Sequence, residues 1–387
     1  KYLNTLRTHA TGNYKTLVKA ITIEPSMLFY LNGVYNKNTA PDENYARELQ
    51  ELFTIGKGPH ALFTEADVQA AAKVLTGFTV NAQGNVYFEP YFHDTGNKTF
   101  SAFYNNTQIT GRSGANGQQE LDDLINMLFA TNEAAKFICR RIYRFFVYGV
   151  ISADVEANVI TPMANLLRTG NYELKPVLSL LFKSEHFFDV LTQGAIIKSP
   201  LDFIIGMIRE TKMKFPPSVN ITALYNMYAT MIYQGATMDQ NLGDPPNVAG
   251  WQAYYLDPVY DKFWINTDTY AKRVNHILFL ISGYTYSNQT VQINWIDFTK
   301  RMSNPSDPNA LIQDFNTYLL RMSLTLATRN TIKTQTLLSG QSSDAYWINA
   351  WNAYTANPNN QLYFSDVNNR LLSLIYYFMN LEEFHLM

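Results

Sequence analysis

Only 16% of the residues in this chain carry charge, so the groups able to do acid–base or metal chemistry are few and clustered. Glu43, Arg47, Glu48 and Glu51 fall on one short segment. Carboxylates three and five apart on a helix can converge on a cation together with a ligand from elsewhere. Glu48, flanked by Arg47 and Glu51, is a candidate general acid or base. The competing reading is a solvated helix face, or an ion-pair network in which Arg47 neutralises Glu43 and Glu51. A second pair is His93-Asp94, followed closely by Lys98 and Thr99. An imidazole and a carboxylate side by side in a loop can hold a divalent metal or move a proton. Alternatively the histidine anchors its own loop by hydrogen bonds. Together these residues give a candidate catalytic set, Glu48, His93 and Asp94, and a candidate metal set, Glu43, Glu48, Glu51, His93 and Asp94. The chemistry they suggest is metal-assisted hydrolysis.

A third feature is the loop Pro245-Pro246-Asn247-Val248-Ala249-Gly250-Trp251, with Tyr254 and Tyr255 just beyond. The rings of Trp251 and Tyr254 are flat faces suited to sugars or aromatics. With Asn247, and with Arg47 from the acidic segment, they form the candidate ligand-binding set. The competing reading is a rigid turn, stiffened by its prolines, whose Trp plugs the core. Arg140, Arg141 and Arg144 lie among Phe and Tyr. The helical spacing of Phe137, Ile138, Ile142 and Phe145 makes this a core face with a basic edge rather than a base-stacking surface.

The remaining features narrow the classes of function. The net charge of −2 argues against nucleic-acid binding, which needs a basic surface. The lone cysteine, Cys139, excludes an internal disulfide framework and any multi-cysteine metal site, and reads as a buried thiol. No apolar run approaches the roughly 18–20 residues of a spanning helix. There is no H-E-x-x-H, G-x-S-x-G, P-loop or dinucleotide fingerprint. Polarity comes instead from Asn, Gln, Thr, Ser and 26 tyrosines, a composition that suits the periplasm, the outer-membrane surface or secretion from a Gram-negative bacterium.

The elements that must position these groups are helices. At about 100° per residue, Tyr45, Leu49, Leu52 and Phe53 share one face and the charged residues the other. Gly56 and Gly58 stop this helix. Thr64 with Asp67 reads as a capping box, opening a second helix striped with Val68, Ala71, Ala72 and Leu75 and closed by Gly77. Residues 79–118 change character, rich in Gly, Asn and aromatics, and read as a long loop with a small hairpin. From 119 onward helical patterns return, including 266–286 and 306–340, and no alternation supports a larger sheet. The expected architecture is all-α, a multi-helix orthogonal bundle forming one domain over 1–387. Its parts are signature helices at 1–78, the β-hairpin and loop insertion around 79–118, and a helical body at 119–387. LLFKSEHFF and the closing YFMNLEEFHLM look alike, a loose hint of duplication.

The string Asp42-Glu43-Asn44-Tyr45-Ala46-Arg47-Glu48-Leu49-Gln50-Glu51-Leu52-Phe53-Thr54-Ile55-Gly56, then Thr64-Glu65-Ala66-Asp67-Val68 and Leu75-Thr76-Gly77-Phe78, resembles the bacterial family known as domain of unknown function 1800. His93–Phe100, Pro245–Trp251 and Glu382–Leu386 agree with it in order along nearly the whole chain. Asp42 and Phe78 depart from the usual Asn and Trp. Family members usually begin well before the equivalent of Lys1, so the resemblance implies a fragment or a trimmed product. It brings no settled activity. Two expectations follow. One is a cell-envelope or surface protein that binds a protein or glycan. The other is the hydrolase, using the Glu/His/Asp cluster and a divalent metal.

Overall fold

The computed structural model describes residues 1–286 and 288–387. The start signals in the sequence are realised where they stand. Asn13 caps α2 (Tyr14–Thr22), which follows α1 (Tyr2–His9), and Glu24 caps α3 (Pro25–Tyr30) with Pro25 in its first turn. The acidic segment forms α4 (Asn44–Glu48), and Thr64 with Asp67 closes a reciprocal capping box on α5 (Glu65–Val74).

Helix α4 does not continue as an α-helix. Leu49–Thr54 widens into a π turn, held by Ile55 N donating to Gln50 O and by Thr54 Oγ1 donating to Leu49 O at 2.7 Å. The extra residue rotates the face that follows. Gln50 and Thr54 are buried where Leu52 and Phe53 were expected, and those two are only half-buried. A strict 3.6-residue period cannot anticipate that shift.

The chain's contacts fall into two compact units, where the sequence reads as one helical domain over 1–387. The first unit holds Lys1–Phe146 and Val150–Phe187; the second holds Val147–Gly149 and Phe188–Met387. Each is a helical bundle with small β additions.

In the first unit the 79–118 insertion contains two hairpins rather than one. β1 (Phe78–Val80) pairs antiparallel with β2 (Val86–Phe88), and β3 (Lys98–Thr99) with β4 (Gln108–Ile109), in the register Lys98 opposite Ile109. Then come α6 (Glu120–Ala130), α7 (Asn132–Phe146), α8 (Ala153–Val155), α9 (Thr161–Thr169) and α10 (Leu174–Phe182). Helix α6 buries Leu121, Leu124, Ile125 and Leu128 as its period requires. Helix α7 differs from expectation. Its buried stripe is Ala134, Ala135, Ile138, Cys139 and Tyr143, while Phe145 and Phe146 are exposed. Tyr143 takes the inward position because its hydroxyl meets His186 Nε2 at 2.9 Å. Arg140 joins Glu133 and Glu156 along the edge of this helix. Burial pushes the Cys139 thiol up to about 12, which leaves it an inert core group.

The second unit comprises α11 (Pro200–Thr211), α12 (Ile221–Thr237), α13 (Thr267–Ser282), α14 (Trp295–Thr299), α15 (Pro308–Leu319), α16 (Leu326–Gln335), α17 (Ala345–Ala356) and α18 (Gln361–Met379). Val367, Leu371, Leu374, Ile375 and Phe378 give α18 a buried stripe, packed in one core with Phe203, Phe315 and Trp347. A third hairpin, β5 (Tyr284–Tyr286) with β6 (Gln289–Val291), lies where 284–286 reads as helix. Gly283, at φ +86°, stops α13 first. Among the described residues, no helix is long and apolar enough to cross a membrane. The two look-alike runs have a common outline: α10 leads into a 3-10 turn at Glu185–Phe188, and α18 into one at Glu382–His385.

This unit also buries basic groups that have no bonded carboxylate among the described residues. Arg273 donates to the carbonyls of Lys198 (2.7 Å) and Trp264, with its guanidinium over Phe203. Lys198 Nζ donates to Phe384 O at 2.7 Å. His385 stacks on Phe203, and His276 stacks on Phe279. Burial lowers Arg273 to about 10, Lys198 to about 8, His276 to about 4 and His385 to about 3.

Candidate functional site

The acidic segment is organised around Arg47. Its guanidinium grips Glu65 with two bonds of 2.7 Å and donates to Glu43 Oε2 at 3.0 Å. Glu51 Oε1 lies 4.0 Å away and Glu51 Oε2 is 2.6 Å from Lys57 Nζ. The bidentate Glu65 contact, ahead of the other carboxylates, raises Arg47 and in turn lowers Glu65. Glu43 and Glu51 therefore face a cation already present in the chain. Glu48 stands apart. Burial first, and Glu51 second, raise its carboxyl above the ordinary range. Its Oε2 is enclosed with no hydrogen-bond partner among the described residues.

His93 and Asp94 enter a different network, built by the end of α5 and the start of α6. Leu75-Thr76-Gly77 ends α5, and Gly77 at φ +93° turns the chain so that Thr76 faces the loop. His93 Nδ1 lies 2.9 Å from Thr76 O, and because a carbonyl only accepts, Nδ1 carries the proton. Asp94 N donates to Thr76 Oγ1 at 2.9 Å. On the far side of the ring, His93 Nε2 is 3.2 Å from Glu120 Oε1 but out of line for a hydrogen bond. Glu120 is held instead by Lys98 Nζ (2.7 Å) and by the Arg112 backbone N–H (2.6 Å). Lys98 Nζ also donates to Asp94 O. His93, Lys98 and Glu120 are 2%, 1% and 0% exposed. Gly117 lies so close that a Cβ there would come within 2.5 Å of His93 Cδ2.

Two more bonds tie this insertion to the signature helices. Asp67, having capped α5, accepts Ser101 N at 2.6 Å through its other oxygen. Gln50, in the π turn, accepts the Tyr104 hydroxyl at 2.6 Å.

On the outer side of the same hairpin is a surface hollow of about 380 Å3 between β4 and α6. Ile109, Met127 and Ala130 supply its apolar lining; Asn105, Thr107, Gln108, Thr110, Asn126 and Thr131 supply its polar lining. Arg112 and Asp123, 2.5 Å apart, pair within it. The buried network reaches the hollow through the Arg112 backbone.

The proline–tryptophan loop belongs to the second unit. Asn247 Oδ1 accepts Ala249 N and its amide donates to Tyr255 OH. Trp251 is half-buried and meets Tyr254 edge-on at 6.4 Å; Tyr254 in turn meets Trp264 edge-on at 5.4 Å. Burial raises the Tyr254 phenol. The rings interlock at 85° and 73° rather than standing as parallel walls.

Residues 1–385 match the family described as protein of unknown function (DUF1800). The chain belongs to that family. No curated protein and no solved structure matches it.

In this DUF1800 chain the expected metal set is divided between two networks, Glu43 and Glu51 with Arg47, and His93 and Asp94 with Thr76, Lys98 and Glu120. Among the described residues, no group of three or more His, Cys, Asp or Glu is arranged to hold a metal ion. Glu120 is the residue that sequence reading passed over. It opens α6 beside Asp122 and Asp123, and all three look like ordinary first-turn acids. Only the first is buried.

Proposed function

We propose that this DUF1800 protein is a non-catalytic binding protein acting outside the cytoplasm, at or near the cell envelope. The observation that supports this best is the enclosure of His93, Lys98 and Glu120 behind the hairpin. A proton-transfer group must reach its substrate within hydrogen-bond distance or through one water, and among the described residues these three meet each other, the backbone, the Thr76 hydroxyl and the Asp94 carboxylate, all on the inner side of the hairpin. Their arrangement braces the insertion and leaves its outer face as the surface available to a partner. Retention of envelope fractions on the immobilised protein tests the reading. Binding should persist in the Glu48→Gln and Asp94→Asn variants. Loss of binding in variants that keep the wild-type melting temperature would overturn it.

A second reading is hydrolysis at Glu48. It is favoured by one combination: a half-buried carboxylate with a raised pKa and one enclosed, unpartnered oxygen, directly before a π turn, a distortion common at functional sites. Turnover of chromogenic phosphate or sulfate esters by the wild type, abolished in Glu48→Gln, would establish this reading in place of the first.

A further inference from the structure

We infer that the hollow between β4 and α6 is a binding site for a neutral saccharide. The inference rests on the binding reading above and names the ligand class for its outer face. Its volume, about 380 Å3, lies within the roughly 300–1,000 Å3 typical of small-molecule sites. Its chemistry is selective. The side chains of Asn105, Thr110 and Asn126 carry no hydrogen bond to other described residues, so two amides and a hydroxyl are free to bond a ligand. An amide presents a donor and an acceptor side by side, which matches a pair of adjacent sugar hydroxyls. The apolar lining from Ile109, Met127 and Ala130 suits the C–H face of a pyranose.

The alternatives fit less well. Arg112 and Asp123 pair with each other, so the hollow offers neither an uncompensated cation for an acidic ligand nor an uncompensated acid for a basic one. An extended peptide would need a strand edge to template it, and β4 is only two residues long. The rim is also held in an uncommon backbone. Asn105 and Asn106 both have positive φ, +56° and +52°, a left-handed turn that asparagine tolerates, pinned by Asn106 N donating to Ser101 O and Thr107 N to Tyr104 O. Behind the rim, Tyr104 is fixed by Gln50 and Arg112 N by Glu120, so the hollow is preformed.

The test uses the full chain with cellobiose, maltose and chitobiose as probes, and glucuronic acid and trialanine as controls, measured by calorimetry and saturation-transfer NMR. The blocking variant is Ala130→Trp, at an exposed position on α6, which fills the hollow without entering the core. At least one disaccharide should bind with a Kd in the millimolar range or tighter, and Ala130→Trp should lose that binding at an unchanged melting temperature. Failure of all three disaccharides, equal binding by the variant, or a preference for either control would overturn the inference. Envelope retention by the same variant separates the two ideas. Retention that survives while no sugar binds removes the saccharide and leaves the binding reading standing.

Discussion

Lys98 Nζ lies 2.7 Å from Glu120 Oε2 with both side chains wholly enclosed. One comes from the hairpin strand β3, the other from the first turn of α6, so a buried ion pair joins the insertion to the helical body, beside the more exposed Arg112–Asp123 pair. Burying two ions is costly, and removing one partner leaves the other charge uncompensated at about 3–5 kcal/mol. Glu120→Gln and Lys98→Met should each lower stability by about that amount in chemical denaturation. The double change Lys98→Met/Glu120→Leu should recover part of the loss, the remainder coming from the Arg112 N–H and Asp94 O left unmet. Single variants as stable as the wild type would show that the pair does not join these elements.

Asp67 serves two elements with one carboxylate, capping α5 and accepting Ser101 N. Asp67→Ala removes the reciprocal half of the capping box, in which Thr64 N donates to the carboxylate, and leaves the partly buried Ser101 amide unmet, a combined loss of about 1–3 kcal/mol. Beyond the overall loss, hydrogen exchange should speed up locally over residues 98–109. Uniform acceleration along the chain, with no excess in the hairpin, would remove the proposed tether.

Gly117 is required by space rather than by backbone angle. A methyl there would meet His93 Cδ2 at 2.5 Å and His93 Nε2 at 2.9 Å, and the ring is fixed from behind by Thr76. Gly117→Ala should destabilise by about 1–3 kcal/mol. A wild-type melting temperature for this variant would mean that the imidazole has room to move.

Acid should weaken the second unit through His276 and His385. Their folded values, about 4 and about 3, lie below the ordinary 6.5. For His276 the cause is burial; for His385 burial comes first, followed by Arg273 and Lys198. In the window between those values and 6.5 the unfolded chain binds more protons than the folded one, so stability rises with pH there and is lost as pH falls from 6.5 towards 4. The cost is on the order of a few kcal/mol. His276→Phe keeps the stack on Phe279 and should flatten part of that slope. Denaturation midpoints at pH 7, 6, 5 and 4 read it directly, and parallel curves for variant and wild type would exclude His276 as a source.

The sequence by itself determined the helical class, the capping box at Thr64 and Asp67, the stops at Gly56 and Gly77, and the Glu43–Arg47 pair. These depend on residues within four of one another, where spacing along a helix is also distance in space. It also supported the family, because the motif order is carried by the chain itself. Tertiary structure decided what the motif charges meet. Spacing could not show that Arg47 turns to Glu65, that Lys98 and His93 gather around Glu120, or that the π turn buries Gln50 where Leu52 was expected. Each of those outcomes depends on which groups lose their water when distant segments pack. A carboxylate at the start of a helix looks the same in sequence whether it ends up enclosed or exposed; packing seals Glu120 against Lys98 and leaves Asp122 exposed, paired with Lys19 at the surface.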